Sequence, residues 1–66
     1  MNLAELKQQH SFAIDKAENV VKTAELAGRP MTDAEAKEFD MAMAAAKSFE
    51  PRIKSIEAKN TLHAMV

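Results

Sequence analysis

Side chains able to do metal or acid–base chemistry are few and scattered in this 66-residue chain. It has two histidines, His10 and His63, and no cysteine. A metal site needs three or four protein ligands, and neither a His-x-x-x-His nor a Glu-x-x-His spacing is present. The sequence therefore predicts no metal and no cofactor, with both histidines falling on the apolar stripes of helices.

Carboxylates are more numerous, and Glu35, Glu38 and Asp40 form their densest group. The helical pattern places them on solvated faces, without a pocket to hold a substrate. With a single glycine, the chain has no phosphate-binding loop and no nucleophile elbow. We expect no enzyme activity.

The composition limits what the chain can bury by itself. Apolar residues make up 47% of it, but thirteen of them are alanine and only three are phenylalanine. The core of so small a domain contributes about 3–5 kcal/mol, and small proteins add disulfides, metals or association with other chains. Since cysteine is absent, association with other chains is the expected means of stabilisation.

The first helix is expected over about residues 2–27, with Asn2 as its N-cap. Apolar or small residues recur in steps of three and four, which is the seam of a coiled coil. The seam consists of Leu3, Leu6, His10, Ala13, Ala17, Val20, Ala24 and Ala27, widened by Ile14 and Val21. Phe12 lies off this stripe and is either a lone exposed aromatic or part of a second contact face.

Residues 28–32 carry strong signals for the end of the first helix and the start of the second. Gly28 suits the left-handed position after a helix, and Pro30 prevents the helix from resuming. Thr32 with Glu35 forms a capping box that begins the next helix. Because the loop is short, the two helices should lie antiparallel.

The second helix is expected over about residues 33–63, with Met43 beside its seam. That seam consists of Phe39, Ala42, Ala46, Phe49, Ile53, Ile56, Asn60 and His63. Pro51 removes one backbone hydrogen bond, yet the three-four rhythm passes through it unbroken. We expect a kinked but continuous helix; the alternative is a break near residues 48–50 with Pro51 opening a third helix.

The fold predicted for residues 1–66 is therefore a single all-α, coiled-coil-like antiparallel hairpin. Its larger apolar residues should be divided between the hairpin interior and a self-association surface. These candidate contact residues are Leu3, Leu6, Ile14, Val20, Val21, Phe39, Met43, Phe49, Ile53 and Ile56.

Charge and hydropathy argue against two classes of partner. The net charge is −1, without the basic stripe expected of a nucleic-acid-binding hairpin. No stretch approaches the roughly 18 apolar residues of a membrane span, and the opening residues do not resemble a signal peptide. We therefore expect neither direct nucleic-acid binding nor a membrane partner.

The order of these features resembles the N-terminal region of major capsid proteins of tailed double-stranded DNA bacteriophages. The resemblance rests on Lys22–Thr32, which contains the Ala-Glu-x-x-Gly-Arg helix end, on Ala34–Glu35 and Glu38–Asp40, and on Phe49–Ile53. In that family the equivalent segments read "AE-x-x-GR", "x-T-x-E-E-x-x-E-F-D" and "LE-x-x-I". The similarity extends from about residue 3 to residue 60.

The resemblance implies a delta or scaffolding domain, located in the host cytoplasm inside the procapsid. Its partners would be further copies of itself, the capsid subunits and the maturation protease that removes it. The capsid fold would follow Val66, in keeping with a tail that carries no helix cap. Pro51 and the many alanines depart from the family pattern, and a chain without a capsid fold does not form a shell alone.

A second hypothesis is a standalone helical adaptor or regulatory protein that docks on a different protein. Self-association of the isolated chain would favour the scaffolding segment. A chain that folds only with a foreign partner would favour the adaptor.

Overall fold

A computed structural model describes all 66 residues and confirms the all-α hairpin. Helix α1 spans Leu3–Leu26 and helix α2 spans Asp33–Met65, and there are no strands. The helices lie side by side in a molecule with extents of 54 × 17 × 15 Å. The helix expected over residues 2–27 thus runs from 3 to 26, and the one expected over 33–63 runs from 33 to 65.

Asn2 caps α1 as predicted. Its Oδ1 accepts a hydrogen bond from the backbone N–H of Glu5 at 2.8 Å, and its Nδ2 donates to Glu5 Oε1 at 3.2 Å. The pair satisfies one of the free N–H groups of the first turn and places a carboxylate at the positive end of the helix dipole.

Helix α1 ends in a Schellman motif. The N–H of Gly28 donates to the carbonyl of Glu25 at 3.0 Å, and the N–H of Arg29 donates to the carbonyl of Ala24 at 3.2 Å. Gly28 has a φ of 65°, a left-handed conformation that costs a residue with a Cβ about 1–2 kcal/mol. This explains the glycine at the point where the chain reverses.

Glu35 ties the turn to the start of α2. In the predicted capping box, Thr32 Oγ1 accepts from the N–H of Glu35 at 3.1 Å, and Glu35 Oε1 accepts from the N–H of Thr32 at 2.9 Å. Arg29 also donates two hydrogen bonds to this carboxylate, Nη1 to Oε1 at 2.6 Å and Nη2 to Oε2 at 3.4 Å. These hydrogen bonds lower the pKa of Glu35 to about 2, with the guanidinium of Arg29 making the largest contribution and the N–H of Thr32 the next.

Helix α2 is continuous through Pro51, so the alternative of a break near residues 48–50 is wrong. Proline leaves the carbonyl of Lys47 without its usual N–H partner. Nearby, Ser48 Oγ donates to the carbonyl of Ala45 at 2.7 Å. Packing of the flanking turns against α1 keeps the helix intact, since half-buried Phe49 and Ile53 lie on either side of the proline.

The interior between the helices is narrow and rich in alanine. Six residues are buried, and only two of them are larger than alanine. They are Leu6, Ala17, Val20, Ala24, Ala42 and Ala46. Alanines let the two backbones approach closely, but each one removes little apolar surface from water.

The predicted seam is too long at both ends. Ala27 is exposed because α1 has already ended, and Asn60 and His63 are exposed because α2 has nine more residues than α1. Every residue from Glu57 onward is exposed. Sequence periodicity continues along this segment, but the hairpin offers it no partner helix.

We predict that Ala46→Leu lowers the free energy of unfolding by about 1–3 kcal/mol, because Ala46 is 1% exposed and a larger side chain would force the helices apart. Urea denaturation at a fixed protein concentration measures the change. Ala44→Leu, at an exposed position of the same helix, is the control and should change stability by less than about 0.5 kcal/mol. An Ala46→Leu variant as stable as the parent would contradict close packing at this position.

The lowered pKa of Glu35 predicts a specific pH dependence. Its stabilising contribution is fully present above its ordinary pKa of 4.5 and is lost as the pH falls through about 2. The stability difference between the parent and Glu35→Gln should therefore be constant above about pH 4.5 and shrink towards pH 2. Urea denaturation across this range tests it, with Asp40→Asn as a control that leaves Arg29 paired. A difference that does not change with pH would show that the Arg29–Glu35 pair does not stabilise the fold.

Candidate helix-docking surfaces

The candidate contact residues are only partly covered by the hairpin itself. Of the ten, Leu6 and Val20 are buried. The other eight are half-buried, namely Leu3, Ile14, Val21, Phe39, Met43, Phe49, Ile53 and Ile56. Most of the larger apolar side chains are thus only half covered by the hairpin, while four of the six buried residues are alanine.

One long side of the hairpin carries an apolar groove, which we call the Ile14 face. Ile14 and Val21 of α1 and Phe39 and Met43 of α2 line it, with Ala17 beneath them. Its border on α1 is charged and consists of Glu18, Lys22 and Glu25. An apolar groove between two helices with a charged border suits the apolar face of a third helix.

Towards the open end of the hairpin, the same side becomes polar. Lys7 Nζ lies 3.8 Å from Glu57 Oε1, and His10 Nε2 lies 3.5 Å from Glu50 Oε1. Both contacts link α1 to α2, and the Lys7–Glu57 ion pair, in which both side chains are more than half exposed, contributes at most about 1 kcal/mol. His10 is half-buried, and its Nε2 is shielded from solvent without a hydrogen bond.

The opposite side carries a second apolar groove, which we call the Phe12 face. Two residues along a helix turn the side chain by about 200°, so Phe12 and Ile14 point to opposite sides of the hairpin. Phe12 is 55% exposed and Met41 is 64% exposed. Both line one groove, together with Gln9, Ala13, Lys16, Ala42 and Ala45. Phe12 therefore has an exposed apolar neighbour on the other helix.

Sequence reasoning missed two features of these surfaces. Arg29 was not identified as the partner of Glu35. An arginine in a tight turn a few residues before a capping-box glutamate is a pattern from which this pair could have been predicted. Met41 and Ala45 were not connected to Phe12, because they lie off the main seam of α2. Aligning the two helices antiparallel and comparing the residues beside the seam on the side of Phe12 would have placed Met41 and Ala45 next to Phe12.

The Ile14 face and the Phe12 face are both lined mainly by apolar side chains. Arg29 and Glu35, whose pKa values are shifted apart, satisfy each other in the turn. No three His, Asp or Glu side chains come together in a group that could hold a metal ion. Neither helix combines the length and the apolar character needed to cross a bilayer.

Comparison with known proteins found no family model, no curated protein and no solved structure that matches this chain.

Proposed function

We propose that this chain is a helical association module that packs against further copies of itself, and that the assembly it serves is a phage procapsid. The observation that carries the proposal is the small amount of apolar surface that the hairpin buries between its helices. Six of 66 residues are buried, and four of those six are alanine. Such a core stabilises a fold weakly, and contacts with other helices would complete it.

The exposed area supports the same conclusion. A compact protein of 7.3 kDa is expected to expose about 4,200 Å². This hairpin exposes 5064 Å², an excess of roughly 900 Å². One partner of a typical stable interface contributes about 800 Å². The excess reflects the elongated two-helix shape and the end of α2 that has no partner helix, and it leaves enough surface for a further helical contact.

The Ile14 face is the surface best suited to that contact. Its four large apolar side chains are already half-buried against the hairpin, so less conformational freedom is lost on binding than for fully exposed side chains. A pair of such small faces binds modestly. Copies tethered to a growing shell reach a high local concentration, which makes many modest contacts strong together and still reversible.

The capsid role rests on the resemblance described above. A scaffolding segment must hold subunits during assembly and release them later, and an alanine-rich seam with half-covered apolar edges suits both steps. In this proposal the segment acts inside the procapsid in the host cytoplasm. It contacts capsid subunits and further copies of itself, and the maturation protease then removes it.

We predict that the double variant Phe39→Gln, Phe49→Gln loses self-association, because both side chains are half-buried at the edge of the seam. Sedimentation velocity measures the oligomers, and circular dichroism reports whether the helices remain. Leu26→Gln is the matched control, since Leu26 is 81% exposed at the end of α1 and lies on neither face. Sedimentation of the double variant identical to that of the parent would contradict the assignment.

Light scattering on the isolated parent chain separates self-association from the adaptor hypothesis. A chain that stays monomeric and becomes ordered only with a different protein would replace the scaffolding proposal with the adaptor.

A further inference from the structure

We propose that the Phe12 face is a second, separate interface and that its occupant is another copy of this chain. The inference rests on the proposed self-association and adds to it a surface that is distinct from the Ile14 face. Because the two faces point to opposite sides of the hairpin, each copy would contact two others. Two such faces on opposite sides build open stacks instead of closed pairs.

The exposed apolar side chains are the first observation. Seven large ones are exposed, and five of these lie at the ends of the chain or of a helix, where exposure is ordinary. Those five are Met1, Leu26, Leu62, Met65 and Val66. Phe12 and Met41 are the two in the middle of helices, and both line the same groove.

The shape of the groove points to a second copy as occupant. Phe12 from α1 and Met41 from α2 project beside a floor made of Ala13, Ala42 and Ala45. The same face therefore carries the large side chains and the alanine floor into which those of a second copy can pack. A contact between two identical surfaces requires this combination. Turning the second copy about an axis parallel to the helices places α1 of one copy on α2 of the other. Every neighbouring helix is then antiparallel, as in an up-and-down bundle.

Charges on this face match that arrangement. Lys16 and Glu38 line one depression with Phe12, so they lie at neighbouring levels on α1 and α2. With α1 of one copy facing α2 of the other, Lys16 of each copy lies near Glu38 of the second copy. These two symmetric contacts are attractive.

A second pair of charges agrees. Glu5 lies seven residues before Phe12, and Arg52 lies seven residues after Ala45, so each belongs to the same face as its reference residue. Leu6 and Arg52 line one depression, which places Glu5 at the level of Arg52. The proposed arrangement therefore brings Glu5 of one copy near Arg52 of the second copy.

The area available is sufficient. The 54 Å length of the molecule includes the end of α2 that has no partner helix, so the 24 residues of α1 set the paired length, about 36 Å at a rise of about 1.5 Å per residue. With a width of 17 Å, the broad side of the paired region has an outline of roughly 600 Å², which is the lower end of what each partner contributes to a stable interface, about 600–1,000 Å². Contact along most of the length of the hairpin is thus needed, as the lengthwise pairing provides.

The first experiment replaces the two projections. Sedimentation velocity and circular dichroism compare the full chain with Phe12→Gln, Met41→Gln and with the control Leu26→Gln. We expect the double variant to keep its helicity but to stop at a smaller species than the parent, with Leu26→Gln behaving as the parent does. A double variant that assembles like the parent overturns the second interface and leaves the first proposal intact. A parent that is monomeric at every concentration overturns both.

The second experiment tests the pairing of the copies. Lys16→Glu alone and Glu38→Lys alone should each weaken association about tenfold, because both symmetric contacts become repulsive. Mixing the two variants should restore it, since the glutamate introduced in one variant would meet the lysine introduced in the other across the interface. The second symmetric contact would then join the unchanged Lys16 of one copy to the unchanged Glu38 of the other. Restoration in the mixture supports the arrangement. If association does not recover on mixing, the arrangement is overturned. It is also overturned if the single variants associate more weakly only because they have lost helicity.

Discussion

Alanine at the centre of the seam is the constraint on which the rest of this structure depends. Ala42 and Ala46 of α2 and Ala17 and Ala24 of α1 are buried, so the backbones lie close together. Close approach leaves room for few large side chains between the helices, and Leu6 and Val20 are the two that are buried there. It also limits the apolar area that the hairpin can remove from water, and hence its stability as a single chain.

The larger apolar residues are displaced to the two flanks as a consequence. Ile14 and Phe39 are half-buried on one side, while Phe12 and Met41 project on the other. A two-helix layer with apolar groups on both broad sides can pack against a second layer on each side, and each such pair of layers would form a helical bundle. The turn keeps these sides well defined, because the hydrogen bonds of Gly28, Arg29 and Glu35 fix how the two helices leave it.

The sequence predicts the local elements of this fold well and its borders less well. Asn2, Gly28 and the Thr32–Glu35 box act within one turn of the chain, so their roles follow from neighbours a few residues away. Periodicity also carried α2 correctly through Pro51. It failed at Asn60 and His63, because the end of a seam depends on the length of the opposite helix. Arg29 and Met41 were missed because their partners are defined by the three-dimensional course of the chain and not by the seam.

The central claim is that the hairpin is stabilised by contact with neighbouring molecules. The most direct measurement is the midpoint of thermal unfolding, followed by circular dichroism over a wide range of protein concentration. The account predicts a midpoint that rises with concentration, because association stabilises the folded state by mass action. A sharp, cooperative transition at the same temperature throughout, from a species of monomeric mass, would contradict it.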